Sequence, residues 1–268
     1  MMPELDIPPH TDLAELLQLA IDAARGPAEV ILRYFHQENL PVERKADSSP
    51  VTQADKEAER YIRETLAAHS SGNVIDILGE EHGLEGTGAR FRWTIDPIDG
   101  TRSFVRGIPL FGTIVALEDT IFHRALVGVI HLPALGTTYS AARGFGSWCD
   151  DKKITISSTS KLEDAIVSVG DPLQFVQAKC EGVYHRLGEL CSCLRGYTDC
   201  FGHGLVAQGS VDVMFDPDLN PWDVLATYVL VEEAGGAMLS RPSNSRGKVD
   251  VLFGNVELVD RLSHDLGF

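Results

Sequence analysis

The spacing of apolar residues changes period several times along this chain, and each change predicts an element. From Asp12 to Phe35, Leu13, Leu16, Leu17, Leu19, Ala20 and Ala23, then Val30, Ile31 and Tyr34, recur on one helical face. Gly26-Pro27 interrupts them, so a long amphipathic helix with a kink is expected. Lys45 to Thr52 is polar and rich in breakers, a loop. From Ala54 to Ala68 the helical period returns, with Ala58, Tyr61, Ile62 and Leu66 inward and Asp55 in the first turn. Val74–Leu78 then reads as a strand ending in Gly79-Glu80-Glu81-His82-Gly83, and Glu85 to Arg90 as a mobile loop near a site.

Period two takes over at Phe91, Trp93 and Ile95, which alternate with Arg92 and Thr94. Phe111–Leu117, Ala125–His131 and Thr137–Ala142 follow as β-rich runs, predicting an antiparallel meander. A short strand is expected near Ile154 and another over 165–169. Pro172 to Leu194 reads as mainly helical, a helix runs through Leu205–Ala207 to Gly209, and Val211–Phe215 is a strand. Asp216 to Asn220 forms a bend into a helix over Trp222–Ala234, capped by Asn220 with Pro221 in its first position and ended by Gly235-Gly236. Strands at Ala237–Leu239 and Val251–Phe253 and a helix from Val256 complete a layered α+β or mixed α/β pattern, with no linker that separates domains.

Composition narrows the partners. A hydrophobic share of 44% with 23% charged residues is that of a soluble globular chain, and 268 residues suffice for a large core. The net charge of −16 argues against a nucleic-acid backbone or an anionic membrane as partner. Five cysteines without paired CxxC spacing suit a reducing compartment and no structural zinc. With acidic residues early and no membrane-length apolar run, a cytoplasmic location is expected.

The candidate chemistry centres on Trp93-Thr94-Ile95-Asp96-Pro97-Ile98-Asp99-Gly100-Thr101. The strand is expected to stop at Asp96, with Pro97 turning the chain so that Asp96 and Asp99 converge across a tight loop. An all-oxygen ligand set suits Mg²⁺ better than Zn²⁺. Gly100 allows close backbone approach, and Thr101 opens a helix whose first N–H groups suit phosphate. Asp-Pro and Asp-Gly also mark ordinary surface turns. Against that reading, Glu80 and Asp223 each lie where a strand ends or a helix begins, a pattern that assembles a metal cluster in three dimensions.

Gly79-Glu80-Glu81, W-T-I-D-P-I-D-G-T over 93–101, and Trp222-Asp223 followed by Glu233-Ala234-Gly235-Gly236 together resemble the inositol monophosphatase superfamily, over nearly the whole chain. The resemblance implies a five-layered αβαβα sandwich in one catalytic domain over 1–268, with a metal-site half to about 155 and a substrate-pocket half from about 156. A homodimer acting on small-molecule phosphate esters is implied as well. By the same resemblance, Glu80, Asp96 and the Ile98 carbonyl bind one Mg²⁺, and Asp96, Asp99 and Asp223 a second. Thr101, paired with Asp55, orients the attacking water alongside Glu80, while Gly100 and Thr101 grip the phosphate. Asp47 and Thr52 support the neighbouring loop and a third, weaker Mg²⁺. A non-catalytic member keeping the fold as a binding module is the rival; the intact carboxylates disfavour it.

Tyr197-Thr198-Asp199-Cys200-Phe201-Gly202-His203-Gly204-Leu205-Val206-Ala207 is similar to a segment of the histidinol-phosphate phosphatases in this superfamily. Asp199 in the leaving-group pocket would suit the ammonium of histidinol; a helix N-cap is its structural alternative. Asp216 aligns with an acidic substrate-contacting position of the inositol branch. Histidinol phosphate is therefore the expected substrate, with inositol 1-phosphate, adenosine 3′,5′-bisphosphate or a sugar bisphosphate as alternatives.

Overall fold

The computed structural model describes residues 12–37, 40–45, 50–68 and 75–268. The first helical stretch is two helices, α1 (Leu13–Arg25) and α2 (Ala28–Phe35), divided at Gly26-Pro27. A ribbon of β1 (Val42–Arg44) and β2 (Pro50–Thr52) leads into α3 (Gln53–Ala68). Ala58, Ile62 and Leu66 are buried as expected, but Tyr61 is 44% exposed. Its ring covers the break between α1 and α2, where a Cβ on Gly26 would meet Tyr61 Cε1 at 2.2 Å. Residues 69–74 and 46–49 lie outside the described set, and with them Asp47 and the first residue of the strand expected from Val74.

The large sheet comprises β3 (Asp76–Gly79), β4 (Gly83–Glu85), β5 (Phe91–Asp99), β6 (Gly112–Asp119), β7 (Arg124–Leu132), β8 (Thr137–Ala142), β9 (Gly146–Cys149) and β10 (Lys152–Ile154), with the single turn α4 (Thr101–Phe104) after β5. Its order is β10-β9-β8-β7-β6-β5-β3-β4. The expected meander is β6-β7-β8, and only the β3–β5 pair is parallel. The loop after Glu85 lies by Asp76, at the end of β5 remote from Asp99, not near the site. The Asp76 carboxylate holds it there by accepting the N–H groups of Thr87, Gly88 and Ala89 at 2.8–2.9 Å.

The second sheet contains β11 (Ile166–Val169), β12 (Cys193–Arg195), β13 (Val213–Leu219), β14 (Ala237–Pro242) and β15 (Val249–Gly254), in the order β12-β11-β13-β15-β14. Between them run α5 (Pro172–Gln177), α6 (Glu181–Leu190), α7 (Asp199–Ala207) and α8 (Pro221–Glu233), and α9 (Val256–Leu266) ends the chain. The stretch expected to be helical to Leu194 stops at Leu190, because Cys193–Arg195 pairs in parallel with β11.

These elements stack in five layers. Leu13, Ala20 and Ala23 of α1 and Ile62 and Leu66 of α3 pack on Trp93, Ile95, Val115 and Val127 of the large sheet. Its other face packs through Ile114, Ile130 and Tyr139 on Cys200 and Ala207 of α7 and Ala226, Val229 and Leu230 of α8. The opposite sides of α7 and α8, Val206, Val224 and Val231, bury Met214, Val251 and Phe253 of the second sheet. Phe175, Leu187, Leu258 and Leu262 from α5, α6 and α9 cover that sheet's far face. The order is αβαβα, the sandwich expected from the resemblance. Gly128 lets the middle layer close down: a Cβ there would lie 2.5 Å from the Ala226 carbonyl oxygen. Among the described residues no helix is long and apolar enough to cross a membrane.

Candidate active site

β5 does not stop at Asp96. Asp96 pairs with Ile114 and Asp99 with Gly112, so three residue steps on β5 oppose two on β6, and the strand continues through a bulge containing Pro97. Proline fits there because a bulge needs no ladder N–H at that position. In a regular strand, residues three apart point to opposite faces; the extra residue brings both carboxylates to one side. Pro97 O accepts the Thr113 hydroxyl at 2.9 Å, and Asp96 Oδ1 accepts the Ile98 N–H at 3.0 Å.

The other carboxylates come from helix starts and a strand end. Asp223 is the third helical residue after the Asn220 cap, and its Oδ2 accepts the Asn220 N–H at 2.7 Å and the side-chain amide at 3.1 Å. The same reciprocal cap begins α3: Asp55 Oδ2 accepts the Thr52 N–H at 2.8 Å and hydroxyl at 2.6 Å, while Thr52 Oγ1 accepts the Ala54 N–H at 3.1 Å. Carboxylate oxygens of Asp96, Asp99 and Asp223 lie within 4.8 Å of one another. Glu80, just beyond β3, is not in that group of three but lines the same cavity, and its charge adds to burial in raising the pKa of both Asp96 and Asp223.

The expected Thr101–Asp55 pair is not among the described hydrogen bonds. Thr101 Oγ1 donates to the Ile98 carbonyl at 3.0 Å, three residues back, and Asp55 is engaged by Thr52. Thr52 is thus part of the cap that starts α3.

Three contributors went unnoticed in the sequence. Glu59 is fully buried; its carboxylate accepts the Glu81 N–H at 2.7 Å, the His82 N–H at 3.2 Å and Arg63 Nε at 2.8 Å. It shapes the turn that carries Glu80, and Gly79 makes room, since a Cβ there would lie 2.0 Å from Glu59 Oε1. A charged residue between the inward positions Ala58 and Ile62 was the available signal. Lys45 Nζ donates to Glu80 and Glu81, each at 2.6 Å. Glu81 is mostly buried, and desolvation raises its pKa to about 7.

The third is Asp218. β13 carries a second bulge, between Asp216 and Leu219, with Pro217 inside it and Asp218 at φ +64°. The bulge turns Asp218 toward the cavity, where Lys248 Nζ and the Ser243 hydroxyl donate to its carboxylate at 3.1 and 2.9 Å. Asp216 faces the other way. It is buried behind the cavity, with Oδ2 3.1 Å from His203 Nε2, and is absent from the described lining. The expected substrate contact at Asp216 is thereby corrected: the strand irregularity exchanges it for Asp218.

The cavity has a volume of about 390 Å³ and is lined by Glu80, Asp96, Asp99, Gly100, Thr101 and Asp223. Asp171, Gln174, Asp199, Asp218 and Lys248 line it as well. Asp199 is half-buried and held at φ +57°, a conformation unfavourable for a side-chain-bearing residue and typical of functional positions. Thr198 is the cap of α7, so Asp199 is its first helical residue, not its cap; Asp199 Oδ2 accepts the Thr198 hydroxyl at 2.8 Å. Burial raises the Asp199 pKa to about 6. The same atom lies 3.4 Å from where a Cβ on Gly100 would stand. Gly100 has φ +81°, so it supplies a left-handed turn, and a Cβ there would also lie 3.0 Å from the Leu110 carbonyl oxygen.

Burial and mutual repulsion raise the pKa values of Asp96 and Asp99 well above the usual carboxylate range, and that of Asp223 to about 7. Lys45 is the cation beside Glu80, and no basic side chain bonds to the three aspartates among the described residues. Such a donor set, all oxygen and short of positive charge, fits a hard divalent cation.

The comparisons agree with this geometry. The model of the inositol monophosphatase family matches residues 12–259. A histidinol-phosphatase of Chlorobaculum parvum is 36% identical over 238 residues, 89% of each chain. An inositol-1-monophosphatase of Rhizobium meliloti is 34% identical over 229 residues, 82% of this chain and 84% of the relative. Among solved structures, the extragenic suppressor protein suhB of Bartonella henselae superposes with a TM-score of 0.83 at 28% identity, covering 94% of this chain and 98% of its own. An inositol monophosphatase from Anabaena gives 0.81 at 27% identity, covering 96% and 97%. With its five layers, its converging carboxylates and a family match spanning both sheets, the chain belongs to the inositol monophosphatase family of phosphatases.

Proposed function

We propose that this phosphatase is Mg²⁺-dependent and hydrolyses histidinol phosphate to histidinol and phosphate. The observation that carries the substrate reading is Asp199, a carboxylate held at φ +57° that lines the same cavity as Asp96, Asp99 and Asp223. Asp171 and Asp218 line the cavity too, and its basic side chains among the described residues are Arg102 and Lys248. An ammonium-bearing alcohol gains a charge-assisted hydrogen bond there that a neutral polyol lacks. The likeness to histidinol-phosphatases supports the same reading.

Asp96, Asp99, Asp223, Glu80 and the Ile98 carbonyl would hold Mg²⁺. When bound, Mg²⁺ supplies Lewis acidity toward the phosphate oxygens and the attacking water. Thr101 Oγ1 commits its proton to Ile98 O and keeps lone pairs that accept a hydrogen bond from that water, which orients it. Glu80 is the carboxylate available to take a proton as attack proceeds. The water oxygen joins phosphorus in line with the ester oxygen, the P–O bond breaks, and the leaving oxygen takes a proton from solvent to depart as the alcohol on the Asp199 side. Asp199 and Asp171 hold the departing amine. The enzyme is further proposed to act as a homodimer, which sedimentation velocity checks.

The test is kcat/KM for histidinol phosphate and inositol 1-phosphate in wild type and Asp199→Asn, within a phosphate-release screen that includes adenosine 3′,5′-bisphosphate and fructose 1,6-bisphosphate. Loss of the ammonium's partner should remove about 2–5 kcal/mol of the preference for histidinol phosphate. Equal losses on both substrates would make Asp199 structural. A wild-type preference for inositol 1-phosphate would favour the second reading, to which the 34% identity with the Rhizobium meliloti enzyme lends weight.

A further inference from the structure

A second and larger cavity, of about 750 Å³, lies on the other side of helix α8. Its volume falls within the range of small-molecule sites, roughly 300–1,000 Å³. The floor is apolar, made by Ala125, Val224, Leu225 and the ring of Tyr228. Its charged lining includes Arg92 of β5, Arg124 of β7 and Arg143 just after β8, from the large sheet.

Two of these arginines are satisfied. Arg92 donates to Glu118 at 2.6–2.7 Å, and Arg143 pairs with Glu232 while its Nε donates to the Ala125 carbonyl at 2.9 Å. Arg124 has no hydrogen bond or ion pair among the described residues. The remaining nearby carboxylate, Glu233, is already used: it accepts the N–H groups of Gly144 and Gly146 at 3.0 and 2.9 Å. The lining thus sets three guanidinium groups against three carboxylates, and Arg124 is the one of the three arginines that makes no hydrogen bond to any of them. Partial burial, and secondarily the Arg143 charge, lower the Arg124 pKa, and the charges of Glu232 and Glu233 offset this only in part. An anion would relieve both penalties.

The two cavities stand back to back. Pro221 and Val224 line the larger one while Asn220 and Asp223 line the candidate active site, and Val249 and Lys248 divide between them in the same way. A molecule in the larger cavity would press on the turn that aims Asp223, without entering the phosphate site.

We propose that this cavity is a second binding site, for a small organic anion with a flat apolar body, whose carboxylate pairs with Arg124 and whose body lies along α8. The assignment is independent of the substrate chosen above.

Naphthalene-2-carboxylate and its neutral carboxamide serve as probes, titrated by calorimetry into the Mg²⁺-loaded wild type, Arg124→Gln and Arg124→Lys. The carboxylate should bind wild type saturably at one site per chain. Its affinity should fall about 10-fold or more in Arg124→Gln, as expected for losing a hydrogen bond to a charged group, with Arg124→Lys between the two. The carboxamide should bind wild type and Arg124→Gln alike. Saturating inorganic phosphate should leave carboxylate binding intact, and bound carboxylate should alter the Mg²⁺ titration, since coupling is reciprocal. The proposal is overturned if neither probe saturates below 10 mM, if Arg124→Gln binds the carboxylate as tightly as wild type, or if phosphate displaces it. Unchanged thermal midpoints of both variants would exclude misfolding as the cause of any loss.

Discussion

The carboxylate of Asp99 accepts the backbone N–H of Cys200, 101 residues further along the chain. This bond ties the bulged end of β5 to the first turn of α7, so the strand that carries two candidate metal ligands is fixed directly to the segment that presents Asp199. Free N–H groups at a helix start favour a carboxylate, and the contact orients Asp99 without any bound ion. The end of β5 and the start of α7, both of which line the cavity, are therefore joined directly by this hydrogen bond.

Crowded carboxylates oppose folding unless a cation joins them. Asp96→Asn should nearly abolish turnover yet raise the thermal midpoint of the chelator-treated protein, because it removes one of the mutually repelling charges. In wild type, Mg²⁺ at about 100 times its Kd should add about 2.7 kcal/mol of stability. Scanning calorimetry with and without Mg²⁺ measures both. A wild-type midpoint indifferent to Mg²⁺, or normal turnover in Asp96→Asn, would be incompatible with the proposed site.

Thr101→Ala removes the hydroxyl but leaves every carboxylate in place. Turnover at saturating Mg²⁺ should fall by about 10²–10⁴-fold, with Mg²⁺ affinity within a small factor of wild type. Steady-state kinetics and a metal titration on the same preparation separate the two effects. A large loss of affinity with kcat preserved would reduce Thr101 to a support for the Ile98 carbonyl.

Glu59 touches no substrate, yet it holds the turn that carries Glu80. Glu59→Ala would leave Arg63 and the Glu81 N–H without their buried partner, at a cost of about 3–5 kcal/mol in urea unfolding. Glu59→Gln keeps an acceptor and should be milder. In both variants the loss of Mg²⁺ affinity should track the loss of stability, whereas an unchanged Mg²⁺ titration in a destabilised Glu59→Ala would show that Glu80 is positioned by other contacts.

His131 links folding to pH away from the site. It is buried in β7, with Nδ1 3.0 Å from the Thr138 hydroxyl, which itself accepts Arg25 Nε at 2.8 Å. Burial, and secondarily the Arg25 charge, lower its pKa from 6.5 to about 4. The folded protein thus keeps His131 neutral where the unfolded chain protonates it. Stability from this group is complete above pH 6.5 and declines as the pH falls toward 4, by about 3 kcal/mol in all. Urea unfolding at pH 7.5, 5.5 and 4.5 should show a steeper decline in wild type than in His131→Gln; parallel profiles would exclude His131 as the source.

Much of this was legible in the chain itself. Local rules place the helices: Gly26-Pro27 divides α1 from α2, Asn220-Pro221 starts α8, and Gly235-Gly236 ends it, because capping and φ restrictions act within a few residues. Alternating polarity likewise identifies β5 and the meander after it. The motif blocks around Glu80, Asp96 and Asp223 were enough to indicate the family.

What remained undetermined depends on contacts between distant segments. Whether Pro97 and Pro217 end their strands or are absorbed in bulges is decided by the partners β6 and β15, whose pairing continues past the irregularity. That choice brings Asp96 and Asp99 to one side and sends Asp218, not Asp216, to the cavity. Glu59 and Lys45 likewise acquire their roles only when the turn around Glu80 folds against them. Side-chain direction at a bulge and the pairing of a buried charge are properties of the assembled packing. Sequence period alone carries the pattern of burial, and the tertiary structure decides which carboxylates face one another.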